Sequence, residues 1–181
     1  MRIPQLHTLG LIGGATVSLT APAFAEQYLT VEQAQTILCR GQSLKALDLT
    51  LTDAQAKQIE ALSGDKVRER TLKVWRMGNH GVFFVDHVPG KNETITYAAA
   101  FDATGKVLGV EILDYRETYG GQIRNDKWRG QFAGKSVRAG QIEFDKDIKN
   151  ISGATISCRN VTRGMRRLSV TFDLVIRPLA P

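Results

Sequence analysis

The sequence is poor in the residues that most catalytic and metal-binding chemistry needs. Only two of its 181 residues are cysteine, Cys39 and Cys158, and three are histidine. There is no Cys-x-x-Cys-His run for haem, and His80 and His87 stand near no ligand cluster, which leaves a structural metal without support. No Gly-x-Gly-x-x-Gly fingerprint and no triad arrangement occurs, so neither a nicotinamide site nor a hydrolase is indicated. No run of like charge exceeds the pair Arg166-Arg167, so the formal net charge of +6 is spread along the chain. A dispersed positive charge favours anionic ligands, partners or membrane surfaces. Internal repeats, linkers and low-complexity segments are also missing.

A long apolar run is absent as well. The stretch Leu9 to Ala21 is shorter than the roughly 20 residues a membrane-spanning helix needs, and Gly10, Gly13, Gly14 and Pro22 weaken it as a helix. Preceded by Arg2 and followed by Ala23-Phe24-Ala25, it has the order of a secretory signal peptide. The expectation is a leader over residues 1–25, cleaved after Ala25, and a periplasmic domain over 26–181. Export argues against a nucleic-acid partner. In an oxidising compartment Cys39 and Cys158 either pair or stay separately buried, and the sequence leaves both open.

What is present reads as α+β. Thr30-Val31-Glu32-Gln33 and Thr52-Asp53-Ala54-Gln55 each have capping-box spacing. They predict a helix with Val31, Ala34 and Leu38 on one face that stops near Gly41, and another with Ala56, Ile59 and Leu62 inward that stops at Gly64. Together they form a helical extension over 26–64. From Thr71 the period becomes two, predicting a hairpin about Gly78-Asn79-His80-Gly81 and a second, Ile95 to Phe101 with Val107 to Leu113, about Asp102-Ala103-Thr104-Gly105. Four antiparallel strands result. Arg116 to Lys135 has no period, and long loops kept in a compact domain are usually functional. A final amphipathic helix carries Val161, Met165, Leu168 and Phe172 inward, with Arg159, Arg163, Arg166 and Arg167 pointing elsewhere. Gly164 in its middle predicts close packing there.

The start of that last helix carries the chemistry. Ser152-Gly153-Ala154-Thr155 sets a candidate capping hydroxyl, two residues with almost no side chain and a second hydroxyl at a helix mouth. The first amides of a helix lack internal partners, and the helix dipole favours a negative group there by about 0.3–1 kcal/mol. Gly153 and Ala154 leave room for a phosphate to approach the backbone. An ordinary capped helix would use the same residues.

Ser152-Gly153-Ala154-Thr155 also resembles the flavinylation motif of the FMN-binding domain family, which includes flavin subunits of the Rnf complex and of sodium-translocating NADH:quinone oxidoreductase. Glu117-Thr118-Tyr119-Gly120-Gly121, followed by Trp128, Phe132 and Gly134-Lys135, resembles that family's Glu-Thr-Pro-Gly loop and the aromatic segment after it. The resemblance covers roughly Trp75 to Leu168. It implies FMN joined through its phosphate to the Thr155 hydroxyl by a partner FAD:protein FMN transferase, with Ser157 the second candidate for attachment. It further implies a phosphate seat from Ser152, Gly153 and Ala154 and a loop beside the ring from Glu117, Thr118 and Gly120. Tyr119 and Trp128 are candidates for stacking on the ring, and Arg124 and Lys135 for offsetting the phosphodiester charge. Two departures stand out: Tyr119 replaces the loop proline, and Asn150 stands where many members have aspartate. The implied function is an exported electron carrier with covalent FMN and unidentified redox partner proteins, membrane-bound ones included among the candidates, rather than a complete enzyme. The alternative is an envelope binding module for free FMN or another phosphate-bearing ligand.

Overall fold

The computed structural model describes residues 28–179, so the leader and its cleavage point lie outside the described residues. Helix α1 (Val31–Cys39) and helix α2 (Asp53–Ser63) begin at Thr30 and Thr52 with complete capping boxes. Each threonine hydroxyl accepts from the third amide of its helix, and the glutamine there reaches back to the threonine amide. Gly64 ends α2 in the left-handed region, at φ 71°, where glycine carries no side-chain penalty.

Five strands, not four, form one antiparallel meander in chain order: β1 (Leu44–Thr50), β2 (Thr71–Met77), β3 (Val82–Pro89), β4 (Thr94–Phe101) and β5 (Val107–Tyr115). The strand missed from the sequence is β1. It is an edge strand with no fully buried residue, so its apolar alternation is faint, and its register is set by pairing with β2 from Leu44↔Met77 to Thr50↔Thr71. The fold is α+β, and the supposed helical extension contributes this strand to the sheet.

The pleat sends neighbouring side chains to opposite faces. Phe83, Ala98 and Ala100 pack with Ala34 and Cys39 of α1 on one face. Phe84, Tyr97, Ala99 and Phe101 pack on the other against Val161, Met165, Leu168 and Phe172, three of them in the last long helix, α4 (Thr155–Thr171). The short α3 (Asp126–Arg129) lies in the long loop between β5 and α4. Each fully buried Phe contributes about 1.5–3 kcal/mol. Cys39 and Cys158 are free and buried and belong to these two separate clusters, so the sheet stands between them. Burial pushes the Cys39 thiol up to about 11.

Gly164 is where α4 comes closest to the sheet: a Cβ there would collide with the Tyr97 hydroxyl and lie 2.7 Å from Val88. Two expectations for the helices are corrected. Leu62 faces outward and is 52% exposed, because α2 meets its neighbours through Ala56 and Ile59. Arg167 is buried, ion-paired with Asp65 and with Asp86, which in turn accepts from Tyr97 at 2.9 Å. The pairing accounts for a buried guanidinium that helical spacing alone assigns to solvent.

Candidate functional site

The β3–β4 turn, the exit of β5 and the start of α4 meet at one end of the sheet. Asn160 ties α4 to this end by donating to the Pro89 carbonyl at 2.7 Å. The Glu117 carboxylate takes hydrogen bonds from the Asn92 and Glu93 amides at 2.6 and 3.0 Å and from the Asn92 side chain at 3.2 Å. Partial burial pushes the Glu117 carboxyl up, but these donors outweigh it and hold it below its ordinary 4.5. Glu117 therefore clamps the β3–β4 turn, and Gly90 is required there because a Cβ would collide with that carboxylate.

Tyr115 and Gly120 join the β5 exit to α4. The Tyr115 hydroxyl donates to the Tyr119 carbonyl at 2.5 Å and lies 3.0 Å from Ser157 Oγ. With its one hydrogen committed to the carbonyl, the phenol accepts from the serine. Burial pushes the phenol's pKa up, which keeps that hydrogen in place. Gly120, at φ 91°, lies so close to Tyr115 Oη, Ser157 Oγ and the Ala154 backbone that a Cβ would meet them at 2.5, 3.3 and 3.5 Å.

The start of α4 is open. Ser152 is not its cap: the chain makes a turn closed by the Ala154 amide on the Ile151 carbonyl at 3.0 Å, with Gly153 at φ 84°. The N-cap position falls to Ala154, which has no side chain to offer. Thr155 is thus the first helical residue, and the first amide to bond back along the helix is that of Cys158, to the Ala154 carbonyl at 2.9 Å. Nothing lies within 4 Å of the space a Cβ would take at Gly153, leaving the approach to these amides clear.

Thr155 is half-buried, and its Oγ accepts from Asn150 Nδ2 at 2.9 Å, so its own hydrogen is left for another acceptor. Ser157 is buried and engaged with Tyr115, which makes it the less accessible of the two hydroxyls. Thr155, Ala154, Gly153, Ser157, Glu117, Thr118 and Tyr119 line a cavity of about 370 Å³. A shallower hollow beside it is lined by Thr118, Tyr119, Gly120, Arg124 and Gly153.

Tyr119 is 82% exposed and Ile156 42%, so an apolar rim stands in solvent at the cavity. Arg124 lies at the edge of the hollow with its guanidinium 3.8 Å over the Tyr28 ring. Two candidates are not brought to the surface of the site. Trp128 is buried, edge-on to Phe132 with ring centroids 5.3 Å apart, and its indole donates to the Lys149 carbonyl at 2.9 Å; it supports the site from below. Lys135 pairs its backbone with Val107, at the opposite end of β5 from Tyr115, about 25 Å away at strand rise.

Sequence reasoning missed Lys91 and Asn92, which line the cavity from the β3–β4 turn. The signal available was Pro89-Gly90, a turn marker just before a lysine. Lys91 is exposed and supplies a cation on the rim.

Residues 90–169 match the FMN-binding domain family model, a span that opens at the Glu117-clamped turn and closes near the end of α4. One component of a proton-translocating ferredoxin:NAD(+) oxidoreductase complex from Clostridium ljungdahlii is 31% identical over 99 residues, covering 49% of this chain and 52% of the relative. A multifunctional-autoprocessing repeats-in-toxin protein of Vibrio vulnificus is 25% identical over 146 residues, covering 81% of this chain and 3% of the relative. The chain therefore spans about half the length of one relative and a small fraction of the other.

Proposed function

With residues 90–169 a domain of the FMN-binding family and FMN its cofactor, we propose that the chain is an electron carrier of the cell envelope with FMN esterified through its phosphate to Thr155. The observation that carries this reading is the uncapped start of α4, with the Thr155 hydroxyl at its first position and open space over Gly153.

The residues present fit a phosphate-linked flavin. The free amides at the start of α4 and the positive end of its dipole would hold a phosphate diester, and Lys91 would add a cation at the rim. Tyr119 and Ile156, both exposed at the cavity, offer apolar surface that would hold a planar ring. Glu117 and Gly120 act on backbone, fixing the two loops that wall the cavity, and Asn150 orients the threonine hydroxyl. FMN, when bound, supplies reversible one- and two-electron chemistry. A covalent link prevents loss of the cofactor where free FMN is dilute, since even a micromolar site, worth about 8 kcal/mol, empties there. The envelope location rests on the order of residues 1–25. Among the described residues no helix is long and apolar enough to cross a membrane.

The test is the intact mass of the mature chain co-expressed with an FAD:protein FMN transferase, beside Thr155→Ala. A gain of one FMN less one water, absent from the variant, is the expected result. An unmodified mass and a protein that turns colourless on dialysis would replace the carrier with a binding module for a free phosphate-bearing ligand.

A further inference from the structure

A second cavity, of about 460 Å³, lies between the end of α2, the segment around Phe144 and the flank of α4. Arg159, Arg163 and Arg166 line it at helical spacing. Among the described residues none of the three forms an ion pair, and the one carboxylate on the lining, Glu143, is held by Lys146 at 3.1 Å. The arginines are placed without being neutralised. The Arg159 guanidinium rests 5.4 Å over the Phe144 ring. Arg166 reaches only the Leu62 carbonyl, at 3.5 Å, and its Nε is buried without a partner. Leu62, 52% exposed, adds an apolar edge.

We propose that this groove docks an acidic segment of a partner protein. Three unpaired guanidiniums in a row of about 10 Å along the helix suit a chain of successive carboxylates better than a single phosphate. Arginine beside exposed apolar side chains is also the composition of protein interfaces. A concave groove between two helices presents this charge to an inserted segment rather than to a flat membrane. The row begins one helical turn, about 6 Å along the axis, from Thr155, so a protein docked there stands beside the candidate flavin site. Only that redox consequence rests on the carrier reading; the docking does not.

The test is fluorescence anisotropy of a labelled glutamate-rich peptide with the full chain and with Thr155→Ala at low ionic strength. Both should bind it. Binding should weaken about tenfold or more in Arg159→Gln/Arg163→Gln, since each lost charge pair removes attraction. Lys45→Gln/Lys106→Gln, which removes the same charge from exposed positions elsewhere, should change it little. No binding of the peptide would overturn the proposal. Equal loss in the two double variants would overturn it too, as would tighter arginine-dependent binding of phosphatidylglycerol vesicles or inorganic phosphate. Because Thr155→Ala keeps the groove and lacks the attachment hydroxyl, failure of flavin attachment and failure of docking are read separately.

Discussion

Helices α2 and α4 begin in opposite ways, and the difference separates structural from functional use of the same backbone feature. At α2 the Thr52 hydroxyl and the Gln55 side chain take up the Gln55 and Thr52 amides, so the capping box occupies them. At α4 a glycine in the left-handed region and an alanine occupy the corresponding stretch. A good cap is worth about 1 kcal/mol, and α4 forgoes it. Its stability comes instead from the face buried against the sheet, where Val161 and Met165 are 0% exposed, so the helix start is free for another purpose.

Exchanging or removing the parts of each helix start tests this contrast. Thr155→Ala should abolish flavin attachment completely, by intact mass, while shifting urea unfolding by no more than about 1 kcal/mol; a large loss of stability would mean that Thr155 is structural. Gly120→Ala should cost about 2–4 kcal/mol and lower attachment, because it combines a left-handed backbone with a collision at Tyr115 Oη. Chemical denaturation with near-ultraviolet circular dichroism would read both the energy and the displaced tyrosines. Thr52→Ala should cost about 1 kcal/mol through the lost cap and leave attachment untouched, the mirror image of Thr155→Ala. Gly153→Ala should cost about 1–2 kcal/mol from its φ alone, since the space beside it is open. Gly153→Asn should recover part of that cost, and if it does not, crowding rather than backbone conformation is the reason.

The smallest effect concerns pH. Because its folded pKa is lowered, Glu117 contributes stability that is present above its ordinary value of 4.5 and is lost as the pH falls through the lower folded value. Unfolding of Glu117→Gln, measured across that range, should be flatter with pH than that of the unaltered protein. Parallel curves would mean that the clamp on the β3–β4 turn carries no charge dependence.

Much of this was legible locally. The capping boxes at Thr30 and Thr52, the stop at Gly64 and the close approach at Gly164 follow from residue types and spacing, because caps, turns and helix faces are set within a few residues. The Ser152-Gly153-Ala154-Thr155 segment was legible as an anion seat for the same reason, and its resemblance to a flavin-attachment motif pointed to the family. The rest depended on partners distant in sequence. Strand β1 exists because β2 pairs with it. Arg167 is inside because Asp65 and Asp86 converge on it, Trp128 is under the site rather than on it, and Lys135 is a strand length away. Lys91 reaches the cavity because Glu117, far along the chain, holds its turn. Spacing along one helix or one turn fixes what neighbouring residues do to each other; which hydroxyl stays open, which cation stands beside it and which aromatic faces solvent are decided by contacts that only the folded sheet and its two helical layers bring together.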